Sequence, residues 1–224
     1  MLNNFIFIIM PYTALSLIIF VTPYRFFTNR LTWSAYSTQF LERKVLFWGI
    51  NPWHYGIIPV LAAHFLGVVF PGPIKALLGN QTHLVIIESI GLALGIFAVF
   101  GCLTLLLRRA NSPMLKQVTF AADWALLFLL AAQALSGVYI STAMRWGSQW
   151  YMHTAVPYFW SLAVFNPQLE YMADFPLILK LHAAGAFLIV GVLPFTKLVH
   201  LLYVPWRFLA DPPIQYRWRS REGD

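Results

Sequence analysis

The chain has 224 residues, of which 59% are hydrophobic and only 10% are charged, against about 25% charged in a soluble domain. Its net charge of +7 does not mark a nucleic-acid binder, because the basic residues lie in the gaps between apolar runs, where membrane topology accounts for them. Cys102 is the single cysteine, which excludes a disulfide framework, a zinc cluster or an iron–sulfur cluster held by this chain alone; with no Cys-x-x-Cys-His motif, covalent c-type haem attachment is excluded too.

Five apolar runs are long enough to cross a bilayer, which takes about 20 residues. The first covers residues 4–21 and contains Pro11, a kink that membrane helices tolerate when neighbours re-satisfy the freed backbone groups. It lacks a basic leading segment and a small-residue cleavage site, so it is read as a retained span. Residues 22–44 are polar and carry Arg25, Arg30, Arg43 and Lys44 against Glu42. The second run, 45–70, contains Pro52 and Pro59, which predict a bent or interrupted helix. Pro71, Gly72 and Pro73 then stop it.

After Lys75 comes the third run, 82–107, followed by Arg108, Arg109 and Lys116. The fourth is 120–143. Residues 144–175 are rich in aromatics (Trp146, Trp150, Tyr151, Tyr158, Phe159, Trp160) and nearly free of cations. That composition predicts a lid lying in the membrane interface. The fifth run is 176–204, and the tail holds Arg207, Arg217, Arg219 and Arg221. The expected fold is all-α: one polytopic membrane domain over residues 1–224, with five transmembrane helices in one bundle. Eleven of the fifteen Lys and Arg follow the first and third runs or lie in the tail. The positive-inside rule therefore places the N-terminus outside and the C-terminus in the cytoplasm, across the cell (inner, cytoplasmic) membrane.

Four histidines organise these runs. His182 and His200 are eighteen residues apart in KLHAAGAFLIVGVLPFTKLVH, five turns of an ideal helix, which puts them on one side and roughly 27 Å apart. That approaches the hydrocarbon thickness of about 30 Å. His54 and His64, in NPWHYGIIPVLAAHFLG, are ten residues apart. They are separated by a rise of roughly 15 Å and by some 80° around an ideal axis. The second and fifth runs are antiparallel, so depth pairs His64 with His182 and His54 with His200. Two bis-histidine sites stacked across a bilayer are what two b-type haems need. Gly56, Ala62, Ala63, Gly67, Ala183, Ala184 and Gly185 would let a flat macrocycle approach backbone, as they also let membrane helices pack. A lone intramembrane histidine also serves as a hydrogen-bonded group or a proton relay; four of them, two per helix and opposed in depth, favour ligation.

These residues resemble a known family. LERK, NPWHYGI and HFLG within residues 33–70, then AADWALLFLLAAQALSG and LHAAGAFLIVGVLPFTKLVHLLYVPWRFL, resemble the gamma subunit of membrane-bound respiratory nitrate reductase, a cytochrome b. The likeness covers nearly the whole chain, its five spans and all four histidine positions. It implies two b haems, the outer held by His64 and His182 and the inner by His54 and His200. It further implies a quinol, menaquinol or ubiquinol, oxidised near the outer haem. Electrons would pass to an iron–sulfur beta subunit and then a molybdenum-cofactor alpha subunit on the cytoplasmic side. Two departures stand out. His83 occupies the place of the family's lysine at the start of the third span, and Ala63 precedes His64 where the family often has glycine. An imidazole there can donate to a quinone oxygen and exchange a proton, or simply sit at a helix end among headgroups.

The quinol-site candidates are therefore His64, His83 and Glu88. Arg108 and Arg109 are candidates for the inner haem propionates, by bidentate contacts, or a topogenic cluster. Asp123 is expected to pair with a basic loop residue, since an unpaired acid is costly in a membrane. His153, in the lid, is assigned no role. Two alternatives stay open. The same cytochrome would suit a nitrite-oxidising, sulfur-compound or heterodisulfide-type oxidoreductase. A haem-free carrier or scaffold would need none of this redox chemistry.

Overall fold

The computed structural model describes residues 2–28, 38, 41–144 and 146–202. Arg30, Arg145 and the arginines of the tail lie outside them. Among the described residues, five helices are long and apolar enough to cross a membrane: Phe5–Thr28, Lys44–Val69, Gln81–Asn111, Ala121–Ala143 and Leu177–Phe195. Among the described residues there is no strand. The first and third spans run several residues past the expected ends, because apolar patterning stops where lipid stops but backbone hydrogen bonding continues into the polar flank.

The expected interruption at Pro52 and Pro59 is corrected. The second span, with Pro52 and Pro59 inside it, is one continuous helix. The fifth is not. Its α-helix ends at Val192, and two 3-10 turns follow, Leu193–Phe195 and Lys197–Leu201. Between them Thr196 is extended (φ −118°, ψ 174°), and its hydroxyl accepts from the Leu198 N–H at 3.3 Å. Pro194 supplies no N–H and crowds the turn before it; with Thr196 extended, the helix does not resume. His200 thus sits on a separate turn, and the ideal spacing from His182 does not apply.

Elsewhere proline is absorbed by wider turns. The π-helical turns Phe5–Ile9, Leu17–Val21 and Tyr151–Ala155 lie just before Pro11, Pro23 and Pro157. A π turn opens the helix where the ring would strike the carbonyl four residues back. Pro11 leaves the Phe7 carbonyl without its usual donor, and the buried Tyr158 hydroxyl donates to it at 2.6 Å.

The second and third spans pack most closely. A Cβ at Gly101 would come within 2.3 Å of the Trp53 backbone nitrogen, and one at Gly56 within 2.5 Å of the Ala98 nitrogen. Only glycine permits this approach. The third span also packs on the fourth, and the fifth on the first and fourth.

The aromatic segment is more than a surface lid. Met152, Val156, Tyr158, Leu162 and Met172 are all buried. Tyr158, Leu162 and Met172 join Ile6, Phe7 and Phe187 in one cluster. Met152 and Val156 join Leu78 and Leu84 in another. The segment therefore wedges between the spans. Its polar tips cap the end of the second one: the Tyr151 hydroxyl donates to the His64 carbonyl at 2.8 Å and the Trp160 indole to the Val68 carbonyl at 3.1 Å. Aromatic composition suits both an interface and a core; here the segment is partly buried and its polar tips bond backbone carbonyls of the spans.

Removing the Tyr158 hydroxyl should cost about 1–3 kcal/mol, the usual cost of an unsatisfied buried polar group. Thermal unfolding in detergent should show Tyr158→Phe destabilised in the native background, and much less so when combined with Pro11→Ala, which restores a backbone donor.

Candidate functional site

His54 projects from the second span and His200 from the 3-10 turn. Their ring centres lie 6.3 Å apart with planes at 62°. Two imidazole nitrogens that share one metal ion, each about 2 Å from it, put their ring centres roughly 6 Å apart. The 6.3 Å separation of this pair matches that spacing. The Nδ1 of His54 lies 2.9 Å from the Ile50 carbonyl, and that of His200 2.7 Å from the Lys197 carbonyl. A carbonyl only accepts, so each Nδ1 carries the proton and each Nε2 keeps a lone pair for a ligand.

At the other end of these spans, His64 follows the same rule, with Nδ1 donating to the Val60 carbonyl at 2.7 Å. Its ring meets Tyr151 edge-on, centres 5.0 Å apart. His182 differs. Its Nδ1 lies 2.8 Å from the Ser136 hydroxyl and its Nε2 3.2 Å from the Gln133 amide nitrogen, which also donates to the His182 carbonyl at 3.0 Å. A Cβ on Gly137 would approach the His182 ring to 3.3 Å. The His182 ring is turned to the fourth span. Ligation through Nε2 would replace the Gln133 contact. Among the described residues no three His, Cys, Asp or Glu side chains converge, and His54 and His200 are the imidazoles whose rings meet.

Glu88 lies at the His64 end. Its Oε1 accepts from the Ser148 N–H at 2.7 Å and from the Ser148 hydroxyl. It thereby anchors the first turn of the aromatic segment, Gly147–Trp150. His83 is exposed in the first turn of the third span. Its N–H is capped by the Asn80 side chain at 3.2 Å, and its neighbour Leu84 is buried against the aromatic segment. His64, through Tyr151, and Glu88, through Ser148, are thus tied to one segment, and His83 lies at the same end.

Arg108 is engaged otherwise than its propionate assignment requires. Only 5% exposed, it bonds the Glu42 carboxylate at 2.7 Å, the Glu42 carbonyl at 2.7 Å, and the Thr38 carbonyl and hydroxyl at 3.0 and 3.2 Å. Four of its five N–H donors are committed to fastening the segment before the second span. Arg109 lies 3.8 Å from Asp123 and 3.2 Å from the Thr119 hydroxyl. Asp123 is buried and bonds Lys197 at 2.9 Å. It pairs with a cation, as expected, but that cation comes from the broken end of the fifth span. Since the Lys197 carbonyl takes the His200 proton, this pair also secures the turn that presents His200. His153 bonds only its own helix, at the Gln149 carbonyl 2.9 Å away.

Sequence reasoning missed Gln133, Ser136 and Tyr151 as partners of the histidines. The available signal was two polar residues one turn apart inside an apolar span, which usually face a partner.

Residues 3–219 match the family model described as nitrate reductase gamma subunit. The chain is 32% identical to the nitrate reductase gamma chain of Bacillus subtilis (strain 168), over 95% of this chain and 96% of that one. It is 29% identical to the respiratory nitrate reductase 1 gamma chain of Escherichia coli (strain K12), over 93% and 94%. It is also 25% identical to the nitrate reductase-like protein NarX of Mycobacterium tuberculosis, over 98% of this chain and 34% of the longer protein.

Two charge predictions follow from this geometry. Asp123→Ala should cost about 1.5–3 kcal/mol, the range for a hydrogen bond to a charged group, read as a lower unfolding temperature. Burial pushes the Glu42 carboxyl up, while the Val45 N–H, the Arg108 guanidinium and the Leu46 N–H pull it down; the net direction is down. A lowered carboxyl stabilises the fold above the ordinary carboxylate range and loses that contribution as pH falls through its folded value. Glu42→Gln should therefore be less stable than the native chain at neutral pH. The gap should close as pH drops below about 4, which thermal melts across a pH series will read.

Proposed function

Because the chain belongs to the nitrate reductase gamma subunit family, it is a multi-pass membrane subunit of that oxidoreductase, and we propose that it is the di-haem cytochrome b that oxidises quinol for the complex. The observation that carries this reading is the 6.3 Å approach of the His54 and His200 rings, each with Nδ1 donated to a backbone carbonyl.

In this reading His54 and His200 hold the inner haem, and His64 and His182 the outer one. Each b haem, when bound, supplies a one-electron iron couple, and two stacked in depth supply a path for electrons across the apolar layer. The chain's own residues do the rest. Backbone carbonyls fix the tautomer of His54, His64 and His200. The aromatic segment packs over the outer end and limits water there. His64, His83 and Glu88 line the region where a quinol head group would dock. His83, exposed, is suited to donate to a quinone oxygen and to take up a proton on oxidation. Glu88 is a second acceptor, once its bonds to Ser148 are exchanged.

The positive-inside count supports an outer N-terminus and a cytoplasmic C-terminus. The end of the bundle with Arg108, Arg109 and Lys197 is then the cytoplasmic end, in the cell (inner, cytoplasmic) membrane. It would face an iron–sulfur beta subunit and, beyond it, a molybdenum-cofactor alpha subunit. Menaquinol and ubiquinol both fit this chemistry.

Membranes carrying the native chain should show low-spin b haem, two per chain. His54→Ala and His200→Ala should each lose the same one. His64→Ala should lose the other and abolish quinol-driven haem reduction. A His64→Ala protein with two haems and normal reduction by quinol would falsify the assignment.

A further inference from the structure

Three of the four candidate ligands take their orientation from their own helix. His54, His64 and His200 each bond a carbonyl three or four residues back. His182 instead bonds the fourth span, at the Ser136 hydroxyl 2.8 Å from Nδ1. That hydroxyl lies 3.0 Å from the Gln133 carbonyl and donates to it. A serine has one hydroxyl proton. With that proton given to Gln133, the oxygen meets Nδ1 with a lone pair, and Nδ1 must carry the hydrogen.

We propose that Ser136, supported by Gln133, is the positioning residue of the outer iron ligand: the fourth span sets the ring orientation and donor strength of His182. This rests on the reading of His182 as a haem ligand. The cradle occupies one helical face, since Gln133, Ser136 and Gly137 are spaced i, i+3, i+4. Gln133 holds the fifth span's backbone through the His182 carbonyl at 3.0 Å. A Cβ on Gly185 would come within 2.4 Å of the Gln133 side-chain oxygen, and one on Gly137 within 3.3 Å of the His182 ring. The small residues of both spans therefore admit the polar cluster.

The consequence is chemical as well as spatial. A hydrogen bond from Nδ1–H makes Nε2 more basic. A more basic ligand favours ferric over ferrous iron, so Ser136 lowers the potential of the outer haem relative to an unassisted imidazole. A backbone carbonyl within one helix delivers this effect at fixed geometry. At His182 the effect instead depends on how the fourth and fifth spans sit together.

The test compares membranes containing the native full-length chain, Ser136→Ala and Ser136→Thr, by optical redox titration and low-temperature electron paramagnetic resonance. All three should hold two b haems. In Ser136→Ala one haem should titrate at a higher potential with shifted low-spin g values, the other should match the native one, and Ser136→Thr should restore both signals. Loss of one haem in Ser136→Ala with its return in Ser136→Thr also supports the proposal. Unchanged potentials and g values in Ser136→Ala overturn it while leaving the haem assignment intact, as does haem loss in both variants. A native chain without two haems removes the underlying assignment, and the proposal with it.

Discussion

His54 and His200 meet from spans that are packed on different neighbours. The second span is buried along the third, backbone to backbone at Gly56 and Gly101. The fifth lies on the first and fourth. Between these two halves the imidazoles approach to 6.3 Å. The geometry of the pair is set from outside it, by the carbonyls that hold each Nδ1, the break at Pro194 and Thr196, and the ion pair beside the turn.

Backbone bookkeeping in an apolar layer explains much of the remainder. A carbonyl in hydrocarbon must find a donor within the protein. Proline removes donors at Pro11, Pro23, Pro157 and Pro194, and each time the helix changes pitch nearby. An aromatic hydroxyl supplies the donor that Pro11 removes at Phe7, and an indole supplies one at Val68, where the second helix ends. This gives the segment after the fourth span its buried place. Its rings fill space, while its polar tips complete hydrogen bonding that the spans cannot complete alone.

At one end, ion pairs join the elements. Arg108 fastens the segment before the second span through Glu42 and Thr38. Asp123 draws Arg109 and Lys197 together. Third, fourth and fifth spans are joined at the depth of His200, so the position of that imidazole depends on electrostatics one turn away. At the opposite end the arrangement is polar but uncharged around His182, where Gln133 and Ser136 do the joining. The two histidine levels are therefore stabilised by different chemistry.

The sequence by itself determined the number of spans and their helical character, because hydrophobic length and residue spacing fix these without knowledge of neighbours. It also carried the family likeness, since NPWHYGI, HFLG and LHAAG keep their order and spacing along the chain. It did not reveal that Pro52 and Pro59 leave a helix intact while Pro194 ends one. A proline's effect depends on whether other groups satisfy the carbonyls it frees. Nor did it reveal that Arg108 is spent on Glu42, that Asp123 reaches Lys197, or that His182 leans on Ser136. Those are contacts between residues 46 to 74 positions apart. Only the packing of helix on helix brings such residues within hydrogen-bond reach, and no periodicity along a single helix encodes which neighbour it will meet.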